Sequence, residues 1–206
     1  MILTDIRPRR HRLSQLYIDG EAAVQVDTET LARSGLAVGD TLDDETLHAL
    51  VKASAEHRAQ EKALYLLEHR AHAKKELEDK IVRAEMDREA AHRAVERMEA
   101  LGLVDDEDYA RRLAQSLFTV KRFGARRVRQ TLRQKGIADD IIEAVLAEFS
   151  TDSDETAENI RAILERKYPA AWTDEKTRRR AVAALQRYGY GFEDIFRVLN
   201  AEAPDT

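Results

Sequence analysis

One pattern occurs twice in the second half of the chain. Leu132, Gly136, Ile142, Val145 and Leu146 superpose on Leu185, Gly189, Ile195, Val198 and Leu199 at a constant offset of 53 (189 − 136). A leucine, a glycine four residues later and then apolar residues spaced three and four apart describe a helix, its stop and a second helix with one buried stripe. A unit this short cannot bury such a stripe alone, so repeated units must stack on one another. The same register sets Arg127 on Arg180. A weaker copy lies upstream. There Leu77 answers Leu132, Ile81 replaces the glycine, and about four extra residues precede Ala91, Ala94 and Val95. Three-helix units in series predict an extended, quasi-linear molecule.

Residues 1–42 read differently. Leu13 to Ile18 and Ala22 to Val26 are strand-like runs joined through Asp19-Gly20, a hairpin signal. An odd-numbered loop puts Leu16, Ala22, Val24 and Val26 on one face. Thr28 to Ser34 reads as a short helix ended by Gly35, and residues 38–42 as a turn with a last short strand. The basic cluster Arg7, Arg9, Arg10, His11 and Arg12 reads as a loose terminal tail. This small β-rich module precedes helical repeats over 43–103, 104–150 and 151–206. Asp43-Asp44 caps the first helix, whose pattern runs from Leu47, Leu50, Val51 and Ser54 to Leu66 and Leu67. Lys74 to Val82 and Glu89 to Leu101 follow. In the second repeat Asp105 or Asp106 caps a helix whose inward stripe is Tyr109, Leu113 and Leu117. Gly124 separates it from the next helix, Gly136 ends that one, and Asp139 caps the third. An acidic link, 150–155, leads to helices carrying Ile160, Ile163 and Leu164, then Asp174 to Gln186, then Phe192 to Leu199.

Composition agrees with thin local cores. Hydrophobic residues make up 43% of the 206 positions, aromatics only 6%, and charged residues 35%. Cysteine is absent, which removes disulfides, thiolate metal sites and thiol nucleophiles. No stretch has the length to span a bilayer, and the first residues lack an apolar signal core, so a cytoplasmic location is expected.

Charge is segregated. From Arg111 to Lys135 there are nine basic residues and no acidic ones, although the whole chain carries a net charge of −5. On a helical wheel Ala125, Val128 and Leu132 share a narrow arc, and Arg122, Arg126, Arg129 and Arg133 share the arc beside it. Charge runs on helices are usually solvated faces held by i,i+4 acidic partners. None stands within reach in sequence here, which favours a face that meets polyanions. Lys74 and Lys75 in the first repeat, Lys135 in the second, and Arg178, Arg179 and Arg180 in the third add to it. A local basic stripe on an acidic protein suits a long, repetitive partner such as a single strand or a nucleoprotein filament.

Signals of enzyme chemistry are poor. There is no phosphate-cradling glycine loop, nucleophile elbow or zinc-binding His-Glu pattern. His69 and His72, near Glu68 and Glu76, lack further ligands and read as solvated helix residues. The carboxylates from Asp105 to Asp108 read as helix N-terminal charge rather than a metal cluster. At least two of Tyr188, Tyr190 and Phe192 are expected in the core rather than as base-stacking platforms. No metal, cofactor or catalytic residue is expected.

Gly102-Leu103-Val104-Asp105-Asp106 with Tyr109-Ala110, then Gly124-Ala125-Arg126-Arg127-Val128, Leu132 and Lys135-Gly136-Ile137, resembles the central repeat of the RecX family, regulators of the RecA recombinase. Ala63-Leu64, Leu66-Leu67, Arg70 and Lys75-Glu76-Leu77 look like that family's first repeat. Arg187-Tyr188-Gly189-Tyr190 with Ile195 and Val198-Leu199 is similar to its closing motif. The resemblance covers roughly residues 60–200, and the β-rich module is similar to the extension of longer members. Phe123 stands where the family usually has a lysine. The resemblance implies a mainly α protein of three tandem three-helix repeats forming an elongated curved rod. It also implies binding in the groove of the RecA filament on single-stranded DNA, which modulates ATP hydrolysis, strand exchange and coprotease activity, in most members by inhibition. Direct contact with DNA is a further expectation, as is a monomer with no membrane association. Arg122, Arg126, Arg129, Arg133, Lys135, Lys74, Lys75 and Arg178 to Arg180 are the expected contact residues. Asp105, Asp106, Tyr109, Gly124, Leu132, Gly136, Leu185 and Gly189 are the structural ones. A free-standing helix-turn-helix transcriptional regulator is the alternative, disfavoured because no single helix gathers Asn, Gln and Arg base readers.

Overall fold

The computed structural model describes residues 1–84, 86–149 and 153–201. It divides into two compact units, Met1–Asp105 and a second beginning at Asp106.

The first unit opens with an antiparallel sheet of β1 (Leu3–Arg9), β2 (Leu13–Ile18) and β3 (Glu21–Asp27), in that order. The basic segment read as a tail is therefore the end of a strand, with Arg7 and Arg9, and the turn after it, with Arg10, His11 and Arg12. Ile6 pairs with Leu16 and Arg9 with Leu13, and a tight turn follows in which His11 and Arg12 take positive φ. The hairpin loop is two residues, Asp19 and Gly20, both left-handed at φ 51° and 89°, as the favoured hairpin turn demands. The extra residue is in β3 instead, where the register shifts between Gln15 and Tyr17. That bulge brings Leu16, Val24 and Val26 to the core side, but Ala22 is exposed.

Helix α1 (Thr28–Ser34) ends at Gly35 with φ 73°. Helix α2 (Asp44–His69) is capped by Asp43, whose side chain accepts from Thr46 N. At about 1.5 Å per residue it is roughly 39 Å long, enough to serve two cores. Its first turns place Leu47 and Leu50 against the sheet, and Ser54 Oγ accepts from Asp27 N at 2.6 Å. Its later turns place Ala59, Ala63, Leu66 and Leu67 in the first repeat, packed on α3 (Lys74–Arg83) and α4 (Arg88–Ala100).

That repeat corrects the sequence register. Leu77 and Ile81 are the buried fourth and eighth residues of ten-residue α3, as Val128 and Leu132 are of ten-residue α6 (Ala125–Gln134). Buried Ala91, Ala94 and Val95 then answer Ile142, Val145 and Leu146 of α7 (Asp139–Glu148) at one offset of 51 (132 − 81). No insertion is needed. Leucine matched to leucine had hidden this, because the equivalent core pairs are Leu/Ile in one repeat and Val/Leu in the other.

The second unit holds α5 (Asp106–Thr119), α6 and α7, then α8 (Ser153–Lys167), a 3₁₀ turn Pro169–Trp172, α9 (Glu175–Arg187) and α10 (Phe192–Asn200). Of the acidic link, residues 150–152 lie outside the described residues. Ala110, Ala114 and Leu117 are the fully buried residues of α5's apolar face, while Tyr109 and Leu113 are half-buried at its margin. The repeated glycines close their helices identically. Ile137 N donates to Leu132 O and Tyr190 N to Leu185 O, both at 3.2 Å, with Gly136 and Gly189 at φ 83° and 95°. This six-to-one bond across a left-handed glycine satisfies carbonyls that a helix end leaves open.

Gly189 has a second duty. The backbone before α6 lies directly on it: Gly124 N donates to Tyr188 O at 2.8 Å. A Cβ on Gly189 would come within 2.4 Å of Arg127 N, and one on Gly124 within 2.5 Å of Gly189 O. Gly189→Ala therefore combines a left-handed penalty of about 1–2 kcal/mol with overpacking of about 1–3 kcal/mol. Gly102→Ala, with positive φ but open space around it, bears the first cost alone. Urea unfolding of the two variants is expected to rank Gly189→Ala clearly the less stable.

Candidate functional site

Folding distributes the predicted arginine face unequally. Arg122 is not on the helix: it precedes Gly124, the N-cap, with φ 50°. Ala125 is exposed, and the buried row of this segment is Gly124, Val128 and Leu132, because the helix begins later than the wheel assumed. Acidic partners absent from the local sequence arrive from α7. Arg129 grips Glu143 with both Nε and Nη2 at 2.8 Å, and Arg133 Nε meets Asp139 at 2.7 Å. Arg111 likewise pairs with Glu148 at 2.8 Å.

The other predicted cations divide the same way. Lys74 Nζ contacts Glu99 at 2.8 Å, Arg179 pairs with Glu175 at 3.0 Å, and Arg178 donates to Asn200 Oδ1. Lys135 is the half-buried C-cap of α6. Lys75, Arg126 and Arg180 are exposed and lie in no ion pair among the described residues. Asp106 is buried at the start of α5, whereas Asp105 is exposed.

Around the Gly124–Gly189 contact the structure assembles something that wheel reasoning missed. Phe123 and Tyr188 meet edge to face with centroids 5.5 Å apart. Arg127 lies 5.9 Å from the Phe123 ring, and its Nη1 donates to Gln130 Oε1 at 3.1 Å. Together with Arg126 and Arg187 these residues line a groove of 440 Å³. Tyr190, buried beneath, donates its hydroxyl to Arg122 O at 2.7 Å. Burial pushes that phenol up to about 12, so it stays protonated and keeps donating. Arg187 escaped the wheel because it is the last residue of α9, on a different repeat from the arginine-rich helix.

Of the three aromatics near the last glycines, Tyr188 and Tyr190 join the third core, while Phe192 is exposed and stacks on Phe196 at 6.1 Å. His72 is not a solvated helix residue. It is buried in the α2–α3 connection between Arg70 O and Lys80 Nζ, and burial, with the Arg70 and Lys80 charges, lowers its pKa. The described residues that cluster with metal-ligand geometry are Asp27, His57 and Glu61, whose ligand atoms lie within 4.8 Å of one another. Both carboxylates already have partners: Asp27 caps α1 through Thr30 N, and Glu61 pairs with Arg12 at 2.7 Å. A cavity of 520 Å³ lies between α1 and α2, lined by Thr30, Arg33, Leu36, Ala49, Ala53 and His57 among others. No helix among the described residues is long and apolar enough to cross a membrane.

These features describe a protein of three-helix repeats in which surface cations gather beside aromatic rings. Comparison with known proteins gives the family. Residues 59–98, 105–146 and 153–199 match the profiles described as the first, second and third three-helix domains of RecX. The regulatory protein RecX of Lactobacillus delbrueckii subsp. bulgaricus is 33% identical over 144 residues, which is 70% of this chain and 53% of that one. The chain thus spans about half the length of that relative. The regulatory protein RecX of Clostridium botulinum is 25% identical over 93% of this chain and 90% of its own. A crystal structure of regulatory protein RecX superposes with a TM-score of 0.68 at 20% identity, over 97% of this chain and 98% of that one. RecX from Lactobacillus salivarius gives 0.62 at 19%, over 72% and 96%. The chain belongs to the RecX family, a family of regulatory proteins.

The α7 carboxylates give a pH test. Arg129's hydrogen bond holds Glu143 below its usual value of 4.5, and Arg133's holds Asp139 below 3.8. A depressed folded-state pKa contributes stability above the unfolded value and loses it as pH falls through the folded one. The native chain's thermal midpoint should therefore fall below about pH 4.5. A Glu143→Gln, Asp139→Asn variant should start lower at pH 7 and show a shallower fall.

Proposed function

We propose that this protein regulates the RecA recombinase by binding along the groove of its filament on single-stranded DNA, and that the effect is inhibitory. Modulation of ATP hydrolysis, strand exchange and coprotease activity follows from occupying that groove. The observation that carries the reading is the match of three successive segments to the three RecX domains. The helical repeats support it physically, since units in series present similar surfaces to a partner that is itself periodic. The protein acts by binding, as a cytoplasmic monomer, without catalytic turnover.

Arg122, Arg126 and Arg180, with Lys75 in the first repeat, are the cations proposed to meet phosphates or acidic filament surface. Arg129, Arg133, Lys74, Arg178 and Arg179 have internal partners and shape the local field, and Lys135 stands at the end of α6. Asp105, Asp106, Tyr109, Leu132, Gly136 and Leu185 hold the repeats.

Titrating the protein into single-strand-dependent ATP hydrolysis by the cognate RecA is expected to lower the rate at substoichiometric amounts. Arg122→Glu with Arg126→Glu should weaken filament co-sedimentation by about tenfold, helicity being unchanged. An unchanged rate with no co-sedimentation would reject the proposal and favour selection of a duplex binding site.

A further inference from the structure

We infer that the groove between α6 and the end of α9 is a direct binding site for one nucleotide unit of single-stranded nucleic acid. This rests on the proposed function and deepens it: the contact with the strand is assigned to one groove, where base stacking on fixed rings joins the phosphate contacts.

Three observations converge there. The first is charge without neutralisation. Arg126, Arg127 and Arg187 line the groove, and none of its lining residues is acidic. Elsewhere on α6 the guanidinium groups of Arg129 and Arg133 are held by α7 carboxylates. Arg126 and Arg187 have no ion pair among the described residues. Exposed cations gathered with no carboxylate among them repel one another, a cost that a phosphate removes.

The second is aromatic surface at the same place. Phe123 and Tyr188 are half-buried side by side, and Lys167 Nζ stands 5.0 Å from the Tyr188 ring while bonding its hydroxyl. Rings fixed by packing next to guanidinium groups offer a base a stacking face and its phosphate a counter-charge. The third is polar edge chemistry. The side-chain amides of Gln130 and Gln186 line the same groove, and each supplies both donors and an acceptor. The volume, 440 Å³, lies within the roughly 300–1,000 Å³ of small-ligand clefts. A duplex keeps its base faces stacked inside, so only an unpaired nucleotide can use both the rings and the cations. An acidic peptide would use the cations and leave the rings and amides without matched partners.

The Gly124–Gly189 contact explains why the site is built. Phe123 immediately precedes one glycine and Tyr188 the other, so the backbone crossing that excludes any Cβ also places both rings at one spot.

The test is fluorescence anisotropy of a labelled oligo(dT) strand with the full chain and no recombinase. Arg126→Glu with Arg187→Glu should weaken binding by about tenfold or more. Arg58→Glu with Arg83→Glu, an equal charge change at exposed positions of the first unit, should change it less than about twofold. Phe123→Leu keeps apolar packing and removes the ring. It should weaken oligo(dT) binding by roughly fivefold or more and leave binding to an abasic strand of equal length unchanged. Circular dichroism and thermal melting establish that each variant is folded. Equal loss in the two double-Glu variants would overturn the site, as would no loss in either. Displacement of the strand by polyglutamate as effectively as by unlabelled oligo(dT) would also overturn it, in favour of an acidic protein segment.

Discussion

Two glycines that touch through their backbones set the geometry of the second unit. Gly124 begins one helix and Gly189 ends another, and neither has room for a methyl group. The contact carries a hydrogen bond from Gly124 N to Tyr188 O, reinforced by the Tyr190 hydroxyl on Arg122 O. Backbone groups buried at such a crossing need partners, and these two bonds supply them. Gly189 meets a further demand, since its left-handed φ permits the bond that closes α9. One residue thus ends a helix and admits the start of another, which makes the second and third repeats one structure.

Electrostatics follows from the same packing. Bringing α7 against α6 supplies Glu143 and Asp139 to arginines that look unpaired in sequence. Exposed pairs of this kind contribute little stability. Their larger effect is on the field, because they cancel much of the basic face and leave positive charge concentrated near the start of α6 and the end of α9. A net-acidic chain thus keeps a confined positive surface instead of a general one.

Much of this was legible in sequence. The offset of 53 identified the helix-ending glycines and their buried stripes, since helix periodicity and a left-handed stop leave strong local marks. The resemblance to RecX carried the three-repeat organisation, which the profile matches establish. Non-local information was the part that failed. The end of β1 looked like a tail because its backbone partners come from β2, and a short, mostly exposed, arginine-bearing strand carries no pattern of its own. Arg122 was misplaced because a wheel assumes a helix where the chain has a positive-φ turn, and Ala125 because it is the exposed first residue of α6 rather than part of its interior stripe. The arginine partners, 14 residues away for Arg129–Glu143 and 6 for Arg133–Asp139, could be seen only after folding. Gly124 read as a break, when its reason lies 65 residues away (189 − 124). The aromatic groove was invisible for the same cause, since Phe123 and Tyr188 belong to different repeats.

The most direct measurement is amide hydrogen exchange of the full-length protein, alone and bound to RecA filaments on single-stranded DNA. Slowed exchange concentrated in 122–130 and 186–191 is the expected result, with little change in the sheet formed by β1 to β3. Protection confined to the sheet and α1, with the groove segments exchanging as in the free protein, would contradict a partner contact centred on the glycine crossing.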